Sequence, residues 1–340
     1  MINRDNSFDL IRHLAALAVL VSHHYVLSGL QEPMLNDYNS LGAIAVLVFF
    51  AISGLLITQS FLNTPSLYRY MEKRIARIFP ALIACAFVMV YILGTAFSKK
   101  GGLSFALSLE ALTDFLKMSA LGRADIGDIT SDFIFKDSFN GSLWTLKIEF
   151  GFYVTLAVAL IVLRKAATPL VMTLVFCILA YFCTKSTHPI APKLLVYSTV
   201  GIAFFVGSTL YFYRNAFSST KAKLLIGALS AALVLVSLNT PLVMVLASIG
   251  VSLLTLSIGT LCKDQIIKSR FDISYGMYLY AFPVQQLMIN ATDLGFYASM
   301  LATAVVVVIL ATISWLFIEK PALNYVHAKS LVRSDSATAT

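Results

Sequence analysis

Apolar residues run along this chain in long blocks, broken by short polar and basic segments. The blocks cover 8–29, 41–62, 79–97, 143–163, 168–184, 194–213, 224–238, 242–261, 272–290 and 296–318. One helical crossing of a bilayer needs about 20 apolar residues. The pattern therefore predicts an all-α, polytopic integral membrane bundle of about ten transmembrane helices. The seventh block is short, and Thr240-Pro241 separates it from the eighth. The first block resembles a signal peptide in length. It lacks a small-residue cleavage site and carries Arg12, His23 and His24, so it reads as a retained helix. No repeat of 20–50 residues is present.

Composition agrees with this reading. Apolar residues make up 59% of the 340, charged residues only 12%, and the mean hydropathy is +0.83. Soluble domains run at about 45–50% apolar and about 25% charged. A soluble globule, a disordered chain and a disulfide scaffold are excluded. The four cysteines, Cys85, Cys177, Cys183 and Cys262, lie in or beside apolar blocks and read as small buried thiols. No Cys/His cluster suggests a metal.

The net charge of +8 would suggest nucleic acid in a soluble protein. Here the basic residues follow topology instead. With the N-terminus inside, sixteen Lys and Arg fall in inside segments, among them Arg4, Lys268, Arg270 and Arg333, against seven outside. This matches the positive-inside rule and predicts both termini in the cytoplasm. Residues 98–142 form the longest outside stretch, with Glu110, Asp114, Asp125, Asp128, Asp132 and Asp137. Within it, 102–120 reads as an amphipathic helix on the membrane face or a re-entrant element. Residues 1–325 are expected to form one membrane domain, and 326–340 a short cytoplasmic tail without regular structure.

Ionisable groups are costly inside a bilayer and usually mark an interior site. Four places carry them. In FDLIRHLAALAVLVSHHY, Asp9 and Arg12 are three apart and can pair on one helical face. Arg12 and His23 are eleven apart, about 20° beyond three full turns, so they share a stripe about 16 Å long. That places an anion binder near the cytoplasmic end and a titratable base deeper along the helix. In YRYMEKRIARIFP, Arg74 and Arg77 are neighbours on a helix, suited to phosphate or to anchoring at lipid headgroups. In NGSLWTLKIEFGFY, Trp144 sits at the outer interface and Glu149 lies inside the span, where it needs a polar partner. In FDISYGMYLYAFPVQQ, Asp272, Ser274 and Tyr275 precede Pro283, which frees a backbone carbonyl. No GxSxG, P-loop, HExxH or dinucleotide-binding glycine pattern occurs.

Taken in order, these segments resemble the membrane-bound acyltransferase family 3, which includes bacterial O-acetyltransferases of surface polysaccharides. Asp9-x-x-Arg12 with His23 is similar to the family's arginine–histidine pattern. FFAISGLLIT at 49–58 supplies Ser53 and Gly54, and KRIARIFP at 73–80 supplies Arg74, Arg77 and Pro80. SLWTLKIEF at 142–150 supplies Trp144 and Glu149. DISYGMYLYAFPVQQ resembles the family's Ser-Tyr span, and IEKPA at 318–322 its closing Glu-x-Pro. One departure is Ala281, where many relatives carry a histidine before Phe-Pro.

The resemblance implies acyl transfer from cytoplasmic acyl-CoA, most often acetyl-CoA, to a hydroxyl of a surface or exported glycan. Acetyl-CoA is then a co-substrate, with no tightly bound cofactor and no metal. Arg12, Arg74 and Arg77 are the expected donor-binding residues. His23 is the expected base or acyl acceptor, and Glu149 the residue that orients it or holds the acceptor or an arginine. Asp9, Ser53, Trp144, Ser274 and Tyr275 are structural or acceptor-binding candidates. The expected setting is the bacterial cytoplasmic (inner) membrane, with membrane lipid, acyl-CoA and glycan as partners and no nucleic acid. Some relatives carry a fused extracytoplasmic esterase-like domain; here either the membrane part suffices or a separate extracytoplasmic partner protein completes the transfer. A transporter that flips a lipid-linked glycan without acyl chemistry is the alternative, since broken helices and intramembrane charges also suit transporters. Transfer to a macrolide or a lipid sugar is a further option.

Overall fold

The computed structural model describes residues 6–36, 39–64, 66–123, 126–238, 240, 242–267 and 271–338, with residues 36 and 330–338 as backbone only. Arg4, Asp125, Pro241, Lys268 and Arg270 lie outside the described residues, as does the side chain of Arg333.

The chain is helical as expected. In order it forms α1 (Phe8–Leu27), a small antiparallel ribbon of β1 (Met34–Asn36) and β2 (Asn39–Ser40), α2 (Leu41–Leu62), α3 (Leu67–Phe87), α4 (Gly94–Phe97), α5 (Gly102–Ala106) and α6 (Leu109–Ser119). Then come α7 (Trp144–Val162), α8 (Ala167–Lys185), α9 (Ala191–Phe212), α10 (Thr220–Ser237), α11 (Val243–Leu261), α12 (Ser274–Asn290), α13 (Phe296–Ser314) and α14 (Lys320–Thr338). Two π-helical segments, Val88–Leu93 and Trp315–Glu319, join α3 to α4 and α13 to α14. Among the described residues, nine helices are long and apolar enough to cross a membrane. The tenth expected run is α12. It is 17 residues long, carries three Tyr and two Gln, and is buried from Gly276 to Gln286, so it packs as an interior helix.

Outward-facing residues such as Ile161, Ile178, Leu229, Val305 and Ile309 are large, apolar and exposed. In water such surfaces promote association; in a bilayer they meet acyl chains. Cys262 departs from the expectation for the thiols: it caps the end of α11 and is exposed. α14 continues the chain as a helix beyond Tyr325, where the sequence pattern suggested an irregular tail.

Two compact units divide the chain. The first comprises Met1–Val19, Pro33–Thr64 and Gly151–Asp272. Its centre is the packing of α2 on α9. A Cβ on Gly54 would lie 1.8 Å from the Phe204 carbonyl oxygen, and one on Gly207 would lie 2.1 Å from that of Ala51. Small residues let helix backbones approach this closely, which is how membrane helices gain packing energy without a hydrophobic driving force. The Thr58 hydroxyl lies 2.7 Å from both the Gly54 carbonyl and the Ser208 hydroxyl, stapling the same seam. The aromatic rings of Phe152, Phe176, Phe204 and Phe205 pack edge-to-face and stacked beside it.

The second unit comprises Leu20–Glu32, Pro65–Phe150 and Ile273–Thr340. Its hub is α12. Pro283 has no N–H, so the Leu279 carbonyl one turn earlier lacks its helical donor. Asn140 Nδ2 donates to that carbonyl at 3.0 Å. Gln286 Nε2 donates to the carbonyls of Phe135 and Ser138 at 3.0 and 2.9 Å. The Tyr278 hydroxyl lies 2.6 Å from Thr145 Oγ1 and donates to the Ser142 carbonyl at 3.0 Å. With no water in the bilayer core, each such bond replaces a costly unsatisfied group. Residues 102–119, expected outside, form α5 and α6. Ala111 and Met118 of α6 join the core, while Leu109, Leu112 and Leu116 are exposed, so α6 is amphipathic as expected.

Candidate active site

Adjacent histidines on α1 have opposite environments. His24 is fully buried and committed. Its Nε2 lies 3.1 Å from both the Phe296 carbonyl and Ser299 Oγ, and Gln285 Nε2 lies 3.3 Å from its Nδ1. The Gln285 amide nitrogen can only donate, so Nδ1 accepts and the network assigns the proton to Nε2. Gln285 Nε2 also donates to the Leu20 carbonyl at 2.7 Å. His24 is a packing residue. One step along the helix, about 100° round, His23 stands edge-on to the Phe282 ring at 5.2 Å between centroids. It is only part-buried, and its Nδ1 is enclosed with no hydrogen-bond partner among the described residues. Glu149 therefore does not orient this imidazole through Nδ1.

Arg12, on the same helix, belongs to the first unit. Asp9 pairs with its guanidinium from one turn earlier, and Asp272 Oδ2 lies 3.5 Å away. Of the three arginines expected at the donor, Arg74 and Arg77 lie together in the second unit.

Those two are set by α3. Ser66 starts the helix by accepting from the Arg69 N–H. Lys73, Arg74 and Arg77 then line a cavity of about 250 Å³, closed by Leu323, Val326 and His327 of α14. Arg77 is also tied inward. Its Nη1 lies 3.8 Å from Glu319 Oε2, and its guanidinium sits over the Tyr275 ring at 5.6 Å. Glu319 ends the π-helical turn, is 2% exposed, and accepts from Ser314 Oγ at 3.1 Å. Tyr275 donates its hydroxyl proton to the Ile78 carbonyl at 2.9 Å. Three separated motifs, KRIARIFP, SYGMY and IEKPA, thus close into one polar cluster. π-turns inside helices often occur at functional sites.

The other expected residues divide between these settings. Glu149 is part-buried on α7, within electrostatic reach of Tyr275 and Tyr278. Trp144 opens α7 and is 40% exposed, as an interfacial anchor would be. Ser274 is buried at the start of α12. Ser53, in the first unit, lies 3.2 Å from the Tyr153 hydroxyl, and its neighbour Gly54 makes the backbone contact described above. That motif builds the fold.

Comparison with known proteins decides the family. The sequence profile of a family described as "Acyltransferase domain", acyltransferase family 3, matches residues 5–319. The chain belongs to this family. It is 38% identical over 322 residues to the O-acetyl transferase of Shigella phage Sf6, covering 94% of this chain and 96% of the relative. It is 28% identical over 349 residues to nodulation protein 10 of Rhizobium leguminosarum bv. viciae, covering 94% and 93%. No solved structure matches.

The protein is thus a multi-pass membrane O-acyltransferase, and a transporter without acyl chemistry is set aside. Within this acyltransferase, spacing did not reveal several residues of the sites. Asp272 reaches Arg12 from the end of the first unit, and Phe282 of α12 meets His23 edge-to-face. Lys73 and His327 join the arginine cavity, and Glu319 pairs with Arg77. The signal available for Glu319 was a carboxylate at the very end of an apolar block. His327 offered none, because it lies in a polar tail. Ala281 is buried at 4%, so its side chain brings no imidazole to α12.

Proposed function

We propose that this acyltransferase moves an acetyl group from cytoplasmic acetyl-CoA to a hydroxyl of an exported or surface glycan, in the bacterial cytoplasmic membrane. The donor's phosphates bind at the Arg74–Arg77 cavity. Arg12, already shared by Asp9 and Asp272, steadies the start of α1. His23 Nδ1 or Nε2 accepts the proton of the acceptor hydroxyl as its oxygen attacks the thioester carbonyl. The tetrahedral intermediate then collapses, the carbon–sulfur bond breaks, and the imidazolium returns the proton to the leaving CoA thiolate. Glu149, near Tyr275 and Tyr278, holds the acceptor side.

The observation that carries this reading is the contrast on α1. His24 has both nitrogens committed, whereas His23, beside it, keeps an enclosed nitrogen uncommitted. The test is O-acetylation of the surface glycan, followed by mass spectrometry in cells expressing each variant. His23→Ala is expected to lower transfer by about 10²–10⁴-fold, the usual weight of a general base, at unchanged membrane yield. His24→Asn is expected to lower yield instead. Normal acetylation by His23→Ala would sink the assignment. A labelled acetyl group trapped on His23 would replace direct transfer by a covalent route.

A further inference from the structure

Glu32 falls between the first two apolar blocks, where a carboxylate would ordinarily stay in water. The structure turns it back onto α1. The helix ends at Leu27, and Gly29 takes φ +73°, a left-handed conformation that suits glycine. The Leu30 N–H donates to the Tyr25 carbonyl at 2.9 Å and the Gly29 N–H to that of Val26 at 3.0 Å, the pattern of a Schellman turn. The chain reverses, and the Glu32 carboxylate accepts from the Ser22 hydroxyl. Ser22 is fully buried, about 7.5 Å before the end of the helix, and directly precedes His23. The carboxylate is thus drawn to the turn that carries the imidazole. Glu32 is half-buried, and among the described residues neither a second hydrogen bond nor a cation engages it.

A fixed segment links this carboxylate to His23 within the second unit. Ile134 lies against the reversal: a Cβ on Gly29 would stand 3.2 Å from its Cγ2. The Ile134 N–H donates to Asn290 Oδ1 at 2.8 Å, and Asn290 Nδ2 donates to the Gln286 carbonyl at 2.8 Å, which fastens the segment to α12. The next residue, Phe135, is half-buried, with its ring 6.0 Å from that of Phe282, which in turn meets His23. A carboxylate, an aromatic ring and an imidazole therefore border one region.

We infer that Glu32 binds the acceptor sugar, accepting hydrogen bonds from hydroxyls beside the one that His23 deprotonates, with the Phe135 ring against the sugar's C–H face. A carboxylate has about four lone-pair sites and takes two adjacent O–H donors at once. Aromatic walls with a few placed polar groups are the usual make-up of a small-ligand site. The same negative charge repels the donor's phosphates, so this end of the site suits a neutral ligand. The inference rests on the glycan reading above and adds Glu32 to Glu149 on the acceptor side.

The test uses the full chain in phosphatidylcholine nanodiscs, with acetyl-CoA and the methyl pyranosides of glucose, galactose and mannose as probes. Steady-state kinetics are measured for wild type, Glu32→Ala and Glu32→Gln. Glu32→Ala is expected to raise the KM for the glycoside about tenfold or more, the weight of a hydrogen bond to a charged group. The KM for acetyl-CoA and kcat should change little, and Glu32→Gln, which keeps an acceptor oxygen, should recover part of the loss. An unchanged glycoside KM, with or without a fall in kcat, would overturn the site, as would a matched rise in both KM values. If wild type acetylates none of the glycosides, the glycan reading fails, and their equilibrium binding decides the site. Weaker binding to Glu32→Ala than to wild type would then support it; equal binding, or none to either, would overturn it.

Discussion

In the unit of Met1–Val19, Pro33–Thr64 and Gly151–Asp272, helices meet backbone to backbone, through Gly54 on Phe204 and Gly207 on Ala51. In the unit of Leu20–Glu32, Pro65–Phe150 and Ile273–Thr340, they meet through side chains that bond to carbonyls: Asn140 on Leu279, Gln286 on Phe135 and Ser138, Tyr275 on Ile78. The first mode relies on shape and tolerates nothing larger than hydrogen at the crossing. The second relies on polar groups, which a bilayer makes expensive to misplace. It therefore leaves fixed, partly enclosed groups such as His23, Glu149 and the arginine cavity where chemistry can use them.

The largest effect should come from breaking the shape-based seam. Gly54→Val places carbon against a carbonyl oxygen that cannot move without shifting α9, and the expected result is no folded protein after solubilisation. Wild-type yield on size-exclusion chromatography would contradict it. Gly141→Ala makes a useful contrast. Its Cβ would meet the Phe282 ring at 2.7 Å, a side chain that can adjust, so folded protein is expected with altered packing beneath His23.

Next in size is the polar cluster. Arg77→Ala leaves Glu319 buried without its cation, a change that typically costs about 3–5 kcal/mol. Thermal unfolding in detergent should show a marked fall, and Arg77→Ala with Glu319→Gln should recover most of it. Equal losses in single and double variants would mean the pair is not coupled.

The smallest effect lies in the loop after α4, outside the candidate spans. Lys99 hydrogen-bonds Asp132 and, by its charge, holds that carboxyl below its ordinary range. A depressed acid stabilises the fold above its unfolded value, about 3.9, and the contribution fades as pH falls through the lower folded value. Burial acts oppositely on Asp114 and pushes its carboxyl up; its contribution is present below the unfolded value and lost as pH rises through the folded one. Asp132→Asn should therefore flatten part of the acid-side fall in melting temperature and change little above about pH 5. An unaltered acid profile would show that the exposed pair contributes nothing measurable.

The extent of α1 was legible because an apolar run of that length favours one continuous helix, and α1 runs unbroken from Phe8 to Leu27. Pro283 likewise announced a free carbonyl, since a missing N–H is a covalent fact. The receiving groups were not legible. Nothing in the spacing says that Asn140 fills that carbonyl, or that Glu319 lies against Arg77 some 240 residues earlier. Likewise His23 and His24 look alike in sequence; Gln285, Phe296 and Ser299 distinguish them.

What the sequence by itself determined is the class of the molecule: apolar runs long enough to cross a bilayer and a set of motifs in family order. Those follow from local quantities, namely hydropathy, helix pitch and residue identity. Only the tertiary structure decided which ionisable groups are occupied and which are available. It engaged Arg12 with two carboxylates, closed α14 over the arginine cavity and committed His24 while leaving His23 open. The reason is physical: in a medium without water a polar group must find its partner from another part of the chain, and that choice is made by packing across long sequence distances.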